Sequence, residues 1–418
     1  MNTKKRKVAV FAVSAAILTG GGGVALAAGP TIKEGSVTFA QDATSKRVTI
    51  GYELEGAPAI VTVDILTNGV SIGAEHLTYM SGDVNRRVAT GTRTVTWAPC
   101  KAWRGNVVND GSVTAKVSAW ALNEPPPYMV VDLAVKGKNA VRYFASAEEL
   151  PYGGVTADAY KTDLLVLRKC PAENVTWRMG TPETEVGRIG PRETPHLVTL
   201  TNDFYIGVYP VTQKQYFNLM GTWGANSKFT ARREMRPVDN LSHDQICAPD
   251  GFLAKLRVHA DNIRFDLPLD AQWEFACRAG CGAALYDGTS LTVDNLARLA
   301  RCKETGGCQT DGSAYPPETD PDVGGTSIVG SFAPNGFGLY DMIGNVWDMT
   351  RDLYQEVLDD AVDPNAGPAS GEGYVVRGGA ADQGNTWCRS GARGWRQPGA
   401  SGYTGFRVAL TVTPDAIP

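Results

Sequence analysis

Beyond Leu164 the chain loses regular hydrophobic periodicity. From there on it is a succession of short strand-like runs, isolated helical patterns and long irregular stretches rich in Gly, Asn and Trp. A region of that length without a repeating pattern has to be held by bound ions, disulfides or aromatic packing rather than by long helices or sheets. The N-terminal part reads differently. Val48, Ile50, Tyr52 and Leu54 alternate with polar residues or Gly, and Val61, Val63 and Ile65 do so again after a turn at Gly56-Ala57-Pro58. That is the period of half-buried strands. Asn68-Gly69 is a favoured tight-turn pair, and segments around Val95, Val113 to Leu122 and Val130 to Leu133 continue the spacing. The expectation is an antiparallel β-sandwich of immunoglobulin or fibronectin-III-like type over 28–136, a connector over 137–162 and a second domain from 163, an α+β chain overall. At roughly 150 residues per domain, 418 residues fit two or three such units.

The first residues carry Lys4, Lys5, Arg6 and Lys7, then an apolar run from Val8 to Leu18, a Gly-rich stretch and Ala25-Leu26-Ala27. This is the layout of a secretory signal peptide over 1–27, with an apolar core too short to span a bilayer comfortably. The expected location is therefore secreted, periplasmic or cell-surface, with no transmembrane span once the signal is removed. Lys and Arg number 40 against 44 Asp and Glu, and no long basic run comes after the signal, so no nucleic-acid partner is expected. His76, His196, His243 and His259 are scattered without metal-ligand spacing.

Export makes disulfides permissible, and eight cysteines suggest bridges before a zinc site. Cys302 and Cys308 flank the turn-forming segment Lys-Glu-Thr-Gly-Gly and are expected to pair. Spacing leaves Cys100, Cys170, Cys247, Cys277, Cys281 and Cys388 unassigned. Two helices are predicted. One starts at the capping-box pattern Thr212-Gln213-Lys214-Gln215, and another runs over Asp270 to Arg278 with Asp270 as N-cap.

Eight motifs then succeed one another in order: Asp203 to Thr212, Arg236 to Ser242, Leu267 to Gly280, Pro334 to Met342, Gly344 to Asp348, Arg377-Gly378-Gly379, Cys388 to Arg393 and Gly405-Phe406-Arg407. This run resembles the formylglycine-generating enzyme family, also called sulfatase-modifying-factor domains, over residues 163–414. The resemblance implies a C-type-lectin-like core with little regular secondary structure, stabilised by calcium. It puts one calcium site on Gly344, Val346 and Asp348 and a second on Asn295 and Leu296 with Asp322. It also implies a Cys277–Cys388 disulfide.

The family's founding activity oxidises a sulfatase cysteine to formylglycine with copper, two active-site thiols and molecular oxygen. Counting from the Gly-Gly step places the two thiol positions at Gln383 and Cys388, so one ligand is missing. Ala380 stands where the family has serine, and Met349 where it has a second tryptophan. Copper is therefore not expected, and the leading expectation is a ligand- or partner-binding module that has lost the oxidase chemistry. Trp347, Trp387, Arg389, Arg393 and Trp395 come from segments that line the family's substrate groove, a surface suited to a protein, peptide or glycan ligand. An active oxidase that matures sulfatases and a cell-surface adhesion protein are the alternatives.

Overall fold

In the computed structural model, residues 29–417 are described apart from 78, 109–110, 225–226, 228, 230, 310, 312, 314–323, 365–372, 401 and 414. The signal segment 1–27 and Asp322 lie outside the described residues. The protein is sheet-rich with short helices. In the N-terminal part, strands Val48–Glu55 and Gly91–Trp97 pair antiparallel at the centre of one sheet, and Ala59–Thr67 pairs antiparallel with Val113–Trp120 in a second. The alternation read from the sequence is the burial pattern of Val48–Glu55, whereas Ala59–Thr67 is buried without a break from Ala59 to Val63, Thr62 included. Val48, Ile50, Tyr52 and Leu54 from the first sheet and Val61, Val63 and Ile65 from the second share one apolar core closed by Trp97.

The strand Tyr128–Asp132, expected to continue those sheets, does not. It pairs antiparallel with Val141–Phe144 on one side and with Leu164–Cys170 on the other. Those strands extend through Phe204–Gly207 to Ala409–Thr411 in one five-stranded sheet. Part of the expected connector 137–162 thus belongs to the second sheet system. The physical reason is that Met129 and Val131 join an apolar cluster with Leu165, Leu167, Tyr205 and Leu410, whereas Val130 faces a different cluster with Val166 and Ile206. Both faces of this strand are buried, as expected for a central strand. Ile60 of the N-terminal part joins the same cluster as Met129, and the Tyr143 N–H donates to the Asn85 carbonyl at 2.8 Å, so the two parts are packed together.

Both predicted helices form. Gln213–Met220 starts from Thr212, whose hydroxyl accepts from the Gln215 N–H at 3.2 Å while the Gln215 side chain accepts from the Thr212 N–H at 2.9 Å. The helix Asp270–Arg278 has Leu269, not Asp270, as its N-cap. Asp270 is the first helical residue, and its carboxylate is engaged by two arginines instead of by the helix's own amides. Among the described residues no helix is long and apolar enough to cross a membrane.

Candidate functional site

The site grows from the face of the helix Asp270–Arg278 that meets a four-stranded sheet. In that sheet Arg393–Arg396 pairs with Tyr374–Arg377, which pairs with Trp347–Leu353, which runs parallel to Thr404–Phe406. The spacing of Asp270, Glu274 and Arg278 at four-residue intervals puts all three on one helix face. Register places Arg377 directly opposite Arg393. The Arg377 guanidinium bonds Asp270 and lies 2.9 Å from Glu274; Arg393 Nε reaches Asp270 at 2.7 Å and Arg278 Nε reaches Glu274 at 2.8 Å. All five side chains are buried. Burial by itself would raise the pKa of both carboxyls. The facing arginines outweigh it and hold Asp270 and Glu274 below the usual carboxylate range.

Arg389 is fully buried as well, 2.6 Å from Glu185 and 2.8 Å from Glu193. Arg389 and Arg393, expected in the binding groove, are therefore internal struts. Trp347 is also internal, 1% exposed, with its ring edge-on to Trp387 at 5.5 Å. The remaining two expected groove residues do meet at the surface. Trp387 and Trp395 line a cleft of about 510 Å³ together with Arg192, Arg396, Gln397 and Gly394. The Arg192 guanidinium lies 6.0 Å from the Trp387 ring centre, and Arg396 lies 5.1 Å over Trp347. Arg396 donates to the Trp395 carbonyl at 3.0 Å, and burial shifts its pKa downward. Two aromatic faces and two guanidiniums form a wall suited to a flat apolar ring carrying an oxyanion.

The same sheet carries a further buried acid, Asp348, next to Trp347 in the strand. Asp348 Oδ2 accepts from Trp273 Nε1 at 2.9 Å and from Arg407 Nε at 2.7 Å, while Oδ1 is buried without a hydrogen-bond partner. Arg407 also donates to the carbonyls of Tyr340 and Asp341. Burial pushes the nearby Asp341 carboxyl up to about 6, and the Asp348 charge adds to the shift. Among the described residues no three His, Cys, Asp or Glu side chains converge as a metal cluster, so a hard cation here would have to draw on backbone carbonyls as well. Gly344 makes room for the loop: at φ 75° a Cβ on it would lie 2.5 Å from the Arg301 carbonyl oxygen. The orphaned Asp348 oxygen, with Asp341 close by, fits the calcium expected on Gly344, Val346 and Asp348. Asp341 was missed by sequence reasoning. At the second expected site, Asn295 Nδ2 donates to the Ser290 carbonyl at 2.9 Å and Leu296 is buried in the core, while Asp322 lies outside the described residues.

The cysteines depart from expectation. All eight are free thiols in the structure. Cys388 and Cys302 come together inside one buried apolar cluster, and burial pushes the Cys277 thiol up to about 12. Neither the Cys277–Cys388 nor the Cys302–Cys308 pairing is present; the Cys308 sulfur faces the Ala381 carbonyl at 3.8 Å. The reason is a backbone contact that spacing could not reveal. Lys303 N–H donates to the Gln383 carbonyl at 2.9 Å, which lays the Cys302 loop against the turn ending at Cys388. Gln383, at the expected first thiol position, donates its side-chain amide to Asp382. Ala380 and Met349 are both buried in apolar clusters.

The model of the sulfatase-modifying factor enzyme 1-like domain matches residues 171–412. Formylglycine-generating enzyme of Streptomyces coelicolor is 29% identical over 241 residues, covering 54% of this chain and 70% of that protein. The enzyme of the same name from Thermomonospora curvata is 34% identical over 156 residues, 34% of this chain and 48% of that protein. This chain thus spans about half the length of the T. curvata relative. Among solved structures, PvdO from Pseudomonas aeruginosa aligns over 59% of this chain and 94% of its own, at 25% identity and a TM-score of 0.46.

Proposed function

Since residues 171–412 make this chain a member of the sulfatase-modifying factor family, we propose from that premise that it is an exported binding protein, without the family's copper-dependent oxidase activity. The observation that carries this reading is the Trp387–Trp395 cleft with Arg192 and Arg396, beside a segment where Gln383 stands at a thiol position. The ligand is a glycan or peptide presenting a sulfate or carboxylate to the arginines and an apolar face to the indoles. A titration of the full chain with a sulfated disaccharide and with a short peptide of free C-terminus, monitored by tryptophan fluorescence, tests it. Saturable quenching by either is the expected result, and no response to both would sink the reading.

Calcium is part of the proposal. Asp341 and Asp348 with the carbonyls of Gly344 and Val346 would hold it, and it would supply the positive charge that neutralises a buried acid pair. Chelation is then expected to lower the melting temperature by about 5–10 °C, the size of a ligand present at roughly 100 times its Kd acting on a domain of this length. Restoring calcium, and not magnesium, recovers it. A melting curve indifferent to chelator contradicts the site.

A second reading, a working oxidase, is favoured by one observation. Cys302 and Cys388 place two soft sulfurs together, which is the ligand pair copper(I) takes, for chemistry with molecular oxygen.

A further inference from the structure

We propose that Cys302 and Cys388 close into a disulfide that ties the loop Cys302–Gly307 to the turn carrying Trp387, so that the oxidation state of this pair governs the ligand cleft. The proposal rests on the chain being exported, but not on the identity of any ligand. Three observations converge on it. Both sulfurs are buried in the same apolar cluster, close enough for each to perturb the other's titration. The backbone on both sides is fixed for the approach: Lys303 N–H bonds the Gln383 carbonyl at 2.9 Å, Gly307 N–H bonds the Cys302 carbonyl at 2.8 Å, and Cys388 N–H bonds the Asn385 carbonyl at 3.0 Å. The position packed against the Cys388 sulfur is Gly379, at φ 74°, where a Cβ would stand 2.9 Å from that sulfur.

The thiols are also unequal in a way that suits exchange. The neighbouring Cys388 thiol lowers the Cys302 pKa against the effect of burial, whereas Cys388 is raised by Cys302 and by burial. Cys302 is therefore the attacking thiolate and Cys388 the resolving thiol. In the overall step two S–H bonds break and one S–S bond forms. Both protons and the electron pair pass to a disulfide-bearing oxidant of the exported compartment, which leaves as two thiols.

Cys388 directly succeeds Trp387 in the chain, so the bridge anchors an indole that lines the cleft. A closed pair also leaves no thiolate at this position for copper. The link spans a long loop, for which the loss of unfolded-state freedom is large.

The test is a peptide map, under non-reducing conditions with thiol alkylation, of the full chain secreted into an oxidising compartment. A Cys302–Cys388 linked peptide that disappears on reduction is expected, together with a fall in melting temperature on the order of 10 °C in reductant. In Cys302→Ser, Cys388 becomes available for alkylation after denaturation, and the wild-type map stands alone if that variant fails to fold. A Cys277–Cys388 or Cys302–Cys308 link, or alkylation of both thiols in the secreted protein, overturns the proposal. Saturable binding of the sulfated disaccharide by protein whose Cys302 and Cys388 are both alkylated would overturn it while leaving the binding reading intact.

Discussion

Replacing Arg377 with alanine is expected to destabilise the protein by about 3–5 kcal/mol, as for removal of one partner from a buried ion pair. Arg377 is fully buried, bonds Asp270 and lies 2.9 Å from Glu274. Its loss leaves Asp270 with Arg393 and Glu274 with Arg278, each acid short of one counter-charge in an apolar surround. Denaturant unfolding of wild type and variant measures this directly. Lysine at 377 is expected to rescue little, because one ammonium does not reproduce the planar fork that faces both acids. The same network sets a pH dependence. Asp270 and Glu274 titrate lower in the folded than in the unfolded chain, so the unfolded state binds more protons as acid is added. Their stabilisation is fully present above roughly pH 5, beyond the ordinary carboxylate values, and is lost as pH falls through the depressed folded values. In Arg377→Ala this acid sensitivity is expected to shrink. An Arg377→Ala protein with wild-type stability would show that the network is dispensable.

Trp395→Ala is expected to weaken the anionic ligand by about 30-fold, near 2 kcal/mol, the loss typical of a central aromatic anchor. Trp395 is only half-buried and lines the cleft beside Arg396, so its removal takes away ligand surface without opening the core. The melting temperature is expected to stay within a degree or two of wild type. Arg393→Ala makes the control: it removes a partner of Asp270 inside the fold and should act on stability. Equal affinities in Trp395→Ala and wild type would detach the cleft from binding.

What the sequence made legible was local. The capping box at Thr212 uses groups three residues apart, and the alternation of Val48 to Leu54 states its own burial. What it hid was the partner. Val130 to Leu133 alternates no differently for joining the sheet of Leu164–Cys170 than for joining the N-terminal one, because the choice is made by distant strands. Arg389 looks like a groove cation until Glu193, 196 residues away, is seen to close on it. Asp270 has the residue type of an N-cap, yet arginines from two strands take its carboxylate. The motif succession identified the family, and the residues flanking its Cys388 to Arg393 motif include the two cleft tryptophans. It gave no sign that Cys302 would come to Cys388, since the contact depends on how an irregular loop folds back.

The central claim is that this family member binds rather than oxidises. The most direct measurement incubates the full chain with a sulfatase-derived cysteine peptide, copper and oxygen and tracks the peptide by mass spectrometry. The account predicts that the cysteine peptide is recovered unchanged. Its conversion to the aldehyde-bearing product, abolished in Cys388→Ser, would contradict the account and establish the oxidase.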